Sequence, residues 1–364
     1  MTDRRGAALP LVLLLVALLG ALAALTLLGS RVRSLAGERA LDRARATAGA
    51  QGTIQQVLGN WPALAADTLP VGIVVGLPTA AAPGIRSTDS IHRLGKTLYL
   101  VRSEAERVRA DGGTLARAGL GYLLHLVRPA LPESAAVVAA GAVTLEGTAL
   151  ASGYDSLPLA SWSAGCPPPG APRAGIQSAG MVADCPGGGC TRGAPPLLTD
   201  TAVTTARLGL LGAVTLPSLM AQANHRVGGA IPWPGPALTG GSCDRGSTSN
   251  WGDPLPGGGP CAGWFPVISA GAGTVVGGGV GQGVLIGTGT LELSGDLGFT
   301  GVVIAVGSLR LRDRVRVTGA VVALDSVTLS DSVIVEWSDC AVTMALGGAA
   351  RPAERPTRPW VVVP

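Results

Sequence analysis

The sequence predicts an α+β chain: a long N-terminal transmembrane α-helix, a small antiparallel sheet, then a mainly-β triangular β-helix with 18-residue coils. Three observations carry that expectation. An uncharged apolar run fills the 25 positions from Gly6 to Ser30. Small or turn-forming residues recur every six positions from Gly283 to Asp331. A second period of 18 is superimposed on the first in the residues between those turns.

The composition agrees with turn-rich β structure. Glycine accounts for 55 of 364 residues and proline for 27, whereas aromatics make up only 3%, too few for a conventional aromatic-filled core. The net charge is +4 and Lys96 is the single lysine. Nucleic-acid binding normally shows a clustered basic face with aromatics nearby, and this balance argues against it.

The N-terminal run is long enough to span a bilayer, because a hydrocarbon core of about 30 Å needs about 20 helical residues. Secretory signals have shorter apolar segments followed by a small-residue cleavage site. The "ALAA" at 21–24 keeps that alternative open. Arg4 and Arg5 flank one side and Arg31 and Arg33 the other, so the positive-inside rule does not set orientation. Residues 31–61 continue with good helix formers. Arg39 and Asp42 stand at i,i+3 spacing for partial pairing, and Trp61-Pro62 ends the helix, because the residue before proline disfavours helical geometry.

Strand-like alternation follows around Leu98 and Leu100 and again around Val108, with Asp111-Gly112-Gly113 as the turn between the runs. A small antiparallel sheet here gives the second half of the helix a surface to pack on.

The hexads are Gly283, Gly289, Gly295, Gly301, Gly307, Asp313, Gly319, Asp325 and Asp331. Apolar residues occupy the second and fourth positions after each turn residue, from Leu291 and Leu293 through Val333 and Val335. Each hexad therefore reads as a short strand with two inward side chains. Among the outward positions, Val284 and Ile286, then Val302, Ile304 and Val306, then Ala320, Val322 and Leu324 are apolar where other hexads carry Thr, Glu, Ser or Arg. Their spacing is 18, so one face in three must be covered and two are solvated, which is a triangular β-helix. The same step stacks Leu291 on Leu309 on Val327, and Phe299 on Val317 on Val335. It also sets Glu292 beside Arg310 and Asp296 beside Arg314, so the run Arg310, Arg312, Arg314, Arg316 reads as a solvated, partly paired face.

A weaker copy, Gly141, Gly147 and Gly153, marks the start of the coils. The resulting division is a basic leader at 1–6, the helix at 7–61, the antiparallel domain at 62–134 and first hexads at 135–154. A Pro/Gly/Cys-rich insertion at 155–270, the β-helix at 271–340 and a C-terminal tail at 341–364 complete the chain. The insertion holds a short helix near 215–224, with Pro217 suited to its first turn. The tail reads as an extended linker or end piece.

Six cysteines, Cys166, Cys185, Cys190, Cys243, Cys261 and Cys340, all lie beyond the apolar run. They are candidate disulfide partners in an oxidising compartment, with their pairing left open. That places residues 31–364 outside the cytoplasm. Cys185 and Cys190 lack the second close pair or nearby histidine that a tetrahedral metal site needs. Catalytic residues, metal and cofactor are expected to be absent: His92, His125 and His225 are dispersed, and Asp313, Asp325 and Asp331 take corner roles. The glycine-rich "GGGVGQG" at 277–283 has no lysine and fails as a phosphate loop, reading as a turn-rich lead into the coils.

With "RRG" ending at Gly6 and "AALPLVLLLVALLG" directly after it, the N-terminus resembles the class III signal of type IV pilin-like proteins. The match is to the PilX family of minor pilins and, secondarily, the general-secretion pseudopilin K family. The resemblance covers about 60 residues. It implies cutting after Gly6 by prepilin peptidase, N-methylation of Ala7, and a helix that sits first in the membrane and then in a fibre core. Leu11 departs from the glutamate that major pilins carry at the fifth mature position, which favours a minor, initiating or tip subunit. The implied partners are other pilin or pseudopilin subunits, prepilin peptidase, the inner-membrane assembly platform and membrane lipid, with no nucleic acid. The implied location is the inner membrane, single-pass, with the N-terminus cytoplasmic. The alternative is a permanently anchored β-helix surface protein or adhesin.

Overall fold

The computed structural model describes residues 8–59, 61, 69–77, 83–185, 189–354 and 360–362. The chain divides into two compact units, one built from residues 1–61, 68–125 and 353–364, the other from 62–67 and 126–352.

The first unit begins with helix α1, Ala8–Gly59. At 1.5 Å per residue its 52 residues extend roughly 78 Å. Its apolar side chains from Val12 to Leu41 are exposed, whereas Ala46, Ala50, Ile54 and Val57 are buried. That i, i+4, i+8, i+11 set is a single helical stripe. It packs on an antiparallel meander of β1 (Val74–Leu77), β2 (Ile85–Arg93), β3 (Leu98–Val108) and β4 (Thr114–Val127). The sheet residues that turn to the helix side are Ile91, Tyr99, Val101, Ala105 and Tyr122. Leu98 and Leu100, which marked the strand in sequence, lie on the half-exposed face. The expected turn is present: Gly113 N–H donates to the Asp111 carboxylate at 2.9 Å and Gly112 has φ +87°. Asp42 meets Arg45 and Arg107, each at 3.9 Å, in place of the expected Arg39. The sheet surface offers it a closer cation.

The tail differs from a free end piece. Trp360–Val362 runs antiparallel to β4, with Trp360 opposite Tyr122 and the two rings edge to face at 4.8 Å. Upstream, Asp339–Gly348 is a helix capped by the Ser338 hydroxyl, which accepts from Ala341 N–H at 3.3 Å.

The second unit is built mainly from parallel strands in two sheets, of eleven and seven strands, with two small antiparallel pairs at 210–215 and 238–243. The expected 18-residue step is the pairing register: Leu291, Leu309 and Val327 are successive partners, as are Val280, Gly298 and Arg316. All the inward residues from Leu291 to Val335 are buried. Each long strand, such as Gly298–Ala305, bends at a glycine. Gly301 and Gly319 have φ +138° and +140°, and a methyl on Gly319 would stand 1.9 Å from the carbonyl oxygen of Gly301. Only glycine fits that close approach.

The outward apolar face is covered as its pattern required. Val284, Ile286, Val302, Ile304, Ala320 and Val322 are buried in one cluster with Val342, Ala345 and Leu346 of the Asp339–Gly348 helix and with Ala349, its C-cap. Thr205, hydrogen-bonded to the Leu324 carbonyl at 3.1 Å, brings Leu208, Leu211, Leu216 and Leu219 to the same core.

The order of the strands differs from the sequence reading. The hexads at 135–154 stack after the last coil, not before the first. Trp337 completes one face, and Ala135–Ala139 and Val143–Leu145 supply the next two, paired to Val321–Ala323 and Val327–Leu329. Leu150 then pairs with Ile334. The segment expected as an insertion, 155–270, adds strands at both ends of the stack. Ala174–Ser178 and Leu197–Thr199 extend one end. His225–Val227 and Ala230–Pro232 extend the other.

Candidate functional site

The features that can carry function are the free half of α1, the cysteines, the charged corners and the few titratable clusters. Gly6 and Ala7, the expected processing site, lie outside the described residues. The helix that follows is long and apolar enough to cross a membrane. From Val12 to Leu35 its large side chains, Leu14 at 68% and Leu27 at 69% among them, face outward without cover from the chain itself. A soluble surface of that size would be costly, at about 25 cal/mol per Å² of apolar area in water.

All six cysteines are paired: Cys166 with Cys340, Cys185 with Cys190, and Cys243 with Cys261. The Cα separations are 5.7, 6.0 and 4.9 Å, within the ordinary range for the bond. Asp184, Cys185 and Cys190 bring ligand atoms within 4.8 Å of one another. Both sulfurs are spent in the disulfide, which leaves the Asp184 carboxylate as the remaining ligand of the three.

Three of the four arginines on this face, Arg312, Arg314 and Arg316, are paired, with one change of partner. Asp296 and Arg314 bond at 2.8 Å, as the 18-residue step required. Glu292 lies opposite Arg310 in register but bonds to Arg312 at 2.7 Å. Arg310 and Arg312 project from the same side of the strand, so the longer diagonal reach is open to Arg312. Arg316 meets Glu336 at 2.8 Å. The Arg314 hydrogen bond holds the Asp296 carboxyl below its usual range, and Glu292 and Asp296 raise Arg312 and Arg314 respectively.

Asp313 and Asp331 sit at φ +67° and +61°. Their carboxylates accept the backbone N–H of the coil before: Gly295 to Asp313 at 3.0 Å, Asp313 to Asp331 at 3.3 Å. Asp325 accepts the Ser308 hydroxyl at 2.7 Å. These acids fasten corners.

The histidines do not converge. His92 bonds Ser90 at 3.1 Å and His125 bonds Thr97 at 2.8 Å. His225 is buried, which lowers its pKa against the smaller raising effects of Asn250 and Asp244. Two features escaped the sequence reading. The Gln177 amide bridges the Glu133 and Asp200 carboxylates at 2.8 and 3.1 Å, and Glu133 also meets Arg207 at 2.6 Å. Gln282, fully buried, donates to the carbonyls of Ala262 and Trp264 and accepts from Trp162 Nε1–H at 2.9 Å. The glycine-rich 277–283 thus ends one strand at Gly277, turns at Gly278 and Gly279, both at positive φ, and opens the long strand Val280–Gly287, which carries the polar hub. No signal short of the fold points to either glutamine.

No protein-family model and no curated protein matches the chain. Among solved structures, it is similar to the competence-associated pilin ComZ from Thermus thermophilus, at 12% identity, over 89% of this chain and 97% of that one, with a TM-score of 0.27. At that score the functional reading stands on this chain's own residues.

Proposed function

We propose that this chain is a non-enzymatic minor pilin-like subunit that takes part in type IV pilus or pseudopilus assembly. The observation that carries the reading is helix α1, whose first half is apolar and uncovered while its second half packs on a small antiparallel meander. Such a helix can rest in a bilayer and then exchange lipid for the apolar helices of neighbouring subunits. The burial of Val12 to Leu35 drives that exchange. The basic leader before Ala7 is the substrate for prepilin peptidase, and the helix is received by the inner-membrane assembly platform. The 18-residue coils form a triangular β-helix displayed on the far side of the membrane, where three disulfides persist. Leu11 favours a minor, initiating or tip position.

Mass spectrometry of the mature N-terminus from membranes, with and without prepilin peptidase, tests the reading. A chain starting at methylated Ala7 is the expected result. An intact Met1 would overturn it in favour of a permanently anchored surface protein or adhesin, and a start near Ala24 in favour of a secreted one.

A further inference from the structure

Trp233 stands out among the exposed side chains of the coil stack. The residue is 69% exposed and its backbone is held at φ +52°, a region costly for a bulky residue. Such strain persists only where the surroundings over-determine it, and it clusters at ligand-contacting positions. The mounting is rigid. Pro232 and Pro234 flank the residue, Ile231 and Pro232 pair in register with Val276 and Gly277, and Val280 N–H donates to the Pro234 carbonyl at 2.9 Å. A methyl on Gly278 would stand 3.4 Å from Cε3, Cζ2 and Cη2 of the indole, so the six-membered ring lies flat over Gly278. One face of the ring is covered by backbone and the other is open. The indole Nε1–H meets no acceptor among the described residues.

The neighbouring coils define the chemistry. Gly278 N–H donates to Ser294 O at 2.9 Å, which sets Asp296 and Arg314 one and two coils along the same corner. These planar polar groups are exposed and neutralise one another. Arg312 and Asp313, at 3.5 Å, do the same beside them. A flat indole next to a charge-balanced row of carboxylate and guanidinium groups matches a pyranose sugar, whose C–H face stacks on the ring while its hydroxyls bond the polar row. A nucleic acid strand also stacks on aromatics, but it draws its affinity from unpaired cations, and this corner offers paired ones.

We propose that the corner formed by Trp233, Gly278, Asp296 and Arg314 is a glycan-binding site for a chain of pyranose sugars, with Trp233 as its platform. The site is independent of how the N-terminus is processed.

The test uses the full-length protein in lauryldimethylamine oxide, a detergent without sugar, with cellohexaose and chitohexaose as probes and oligothymidylate as the comparison. Saturation-transfer NMR is expected to show contact with the C–H face of at least one sugar, with a shift of the Trp233 Nε1–H resonance. Trp233→Ala is expected to weaken binding by about tenfold or more, and Trp233→Phe to keep it within about threefold. The exposed ring leaves thermal unfolding unchanged. Binding of neither sugar, equal binding by Trp233→Ala, an unshifted Trp233 resonance at saturation, or binding of oligothymidylate alone would overturn the proposal.

Discussion

Gly319 and Gln282 show how single residues set the coil geometry. Replacing Gly319 by alanine forces a Cβ to within 1.9 Å of a backbone oxygen at φ +140°, so a loss of about 3 kcal/mol or more is expected in denaturant unfolding. Gly347, in the covering helix, has open space around it, and Gly347→Ala is expected to be neutral or to stabilise by about 1 kcal/mol. Equal effects at the two sites would sink the corner argument. His225 supplies a pH dependence. Burial lowers its pKa, against smaller raising effects from Asn250 and Asp244. The folded state thus binds fewer protons than the unfolded one below the ordinary histidine range near 6.5. Stability is full above that range and falls as pH drops from there towards the folded value. The unfolding midpoint should decline between about pH 7.5 and 5.5 in the wild type and decline less in His225→Gln. The corner acids Asp313 and Asp331 were legible in sequence because a turn every six residues leaves them no other place. Gln282 was not, because a buried amide is defined by the carbonyls around it, and those come from residues 262–264 in another loop.

At the scale of elements, periodicity predicted what long, regular segments do and missed what short ones do. The nine hexads gave the register itself, and the 18-residue apolar face gave the need for a cover. The cover could not be read, since Asp339–Gly348 is only ten residues long and its buried stripe holds just two larger aliphatic residues, Val342 and Leu346, beside Cys340, Ala341 and Ala345. Leu346 is the large side chain on that stripe, 6% exposed. Leu346→Ala is expected to cost about 2–5 kcal/mol through lost burial and a cavity, while Met344→Ala, on the exposed side at 37%, should cost far less. Comparable losses from the two would mean that the helix does not cover the coils. The strands within 155–270 were illegible for a related reason. Many are two or three residues long and set 39 or more residues from their partners, below any window in which a period can show.

Over the whole molecule, the second unit is closed by contacts that are remote in sequence. Trp337 and Ala135 contribute to one coil, and the strands at 135–152 pair with residues 321–336, which lie some 184 residues along the chain. This arrangement is costly in loop-closure entropy, and topologies of this kind fold slowly. The Cys166–Cys340 bond spans 174 residues and joins the chain just beyond those two stretches. Chain-entropy reasoning assigns such a crosslink up to about 5 kcal/mol, against about 2 for a loop as short as that of Cys185 and Cys190. A double substitution to serine at Cys166 and Cys340 should therefore lower the unfolding midpoint more than the same change at Cys185 and Cys190. It should also slow refolding, since the unfolded chain would have to close the long loop unaided. Faster or unchanged refolding of the Cys166/Cys340 variant, with an equal drop in midpoint for both, would show that the remote coil forms without help from the crosslink. The order of assembly would then be set by the local 18-residue register alone.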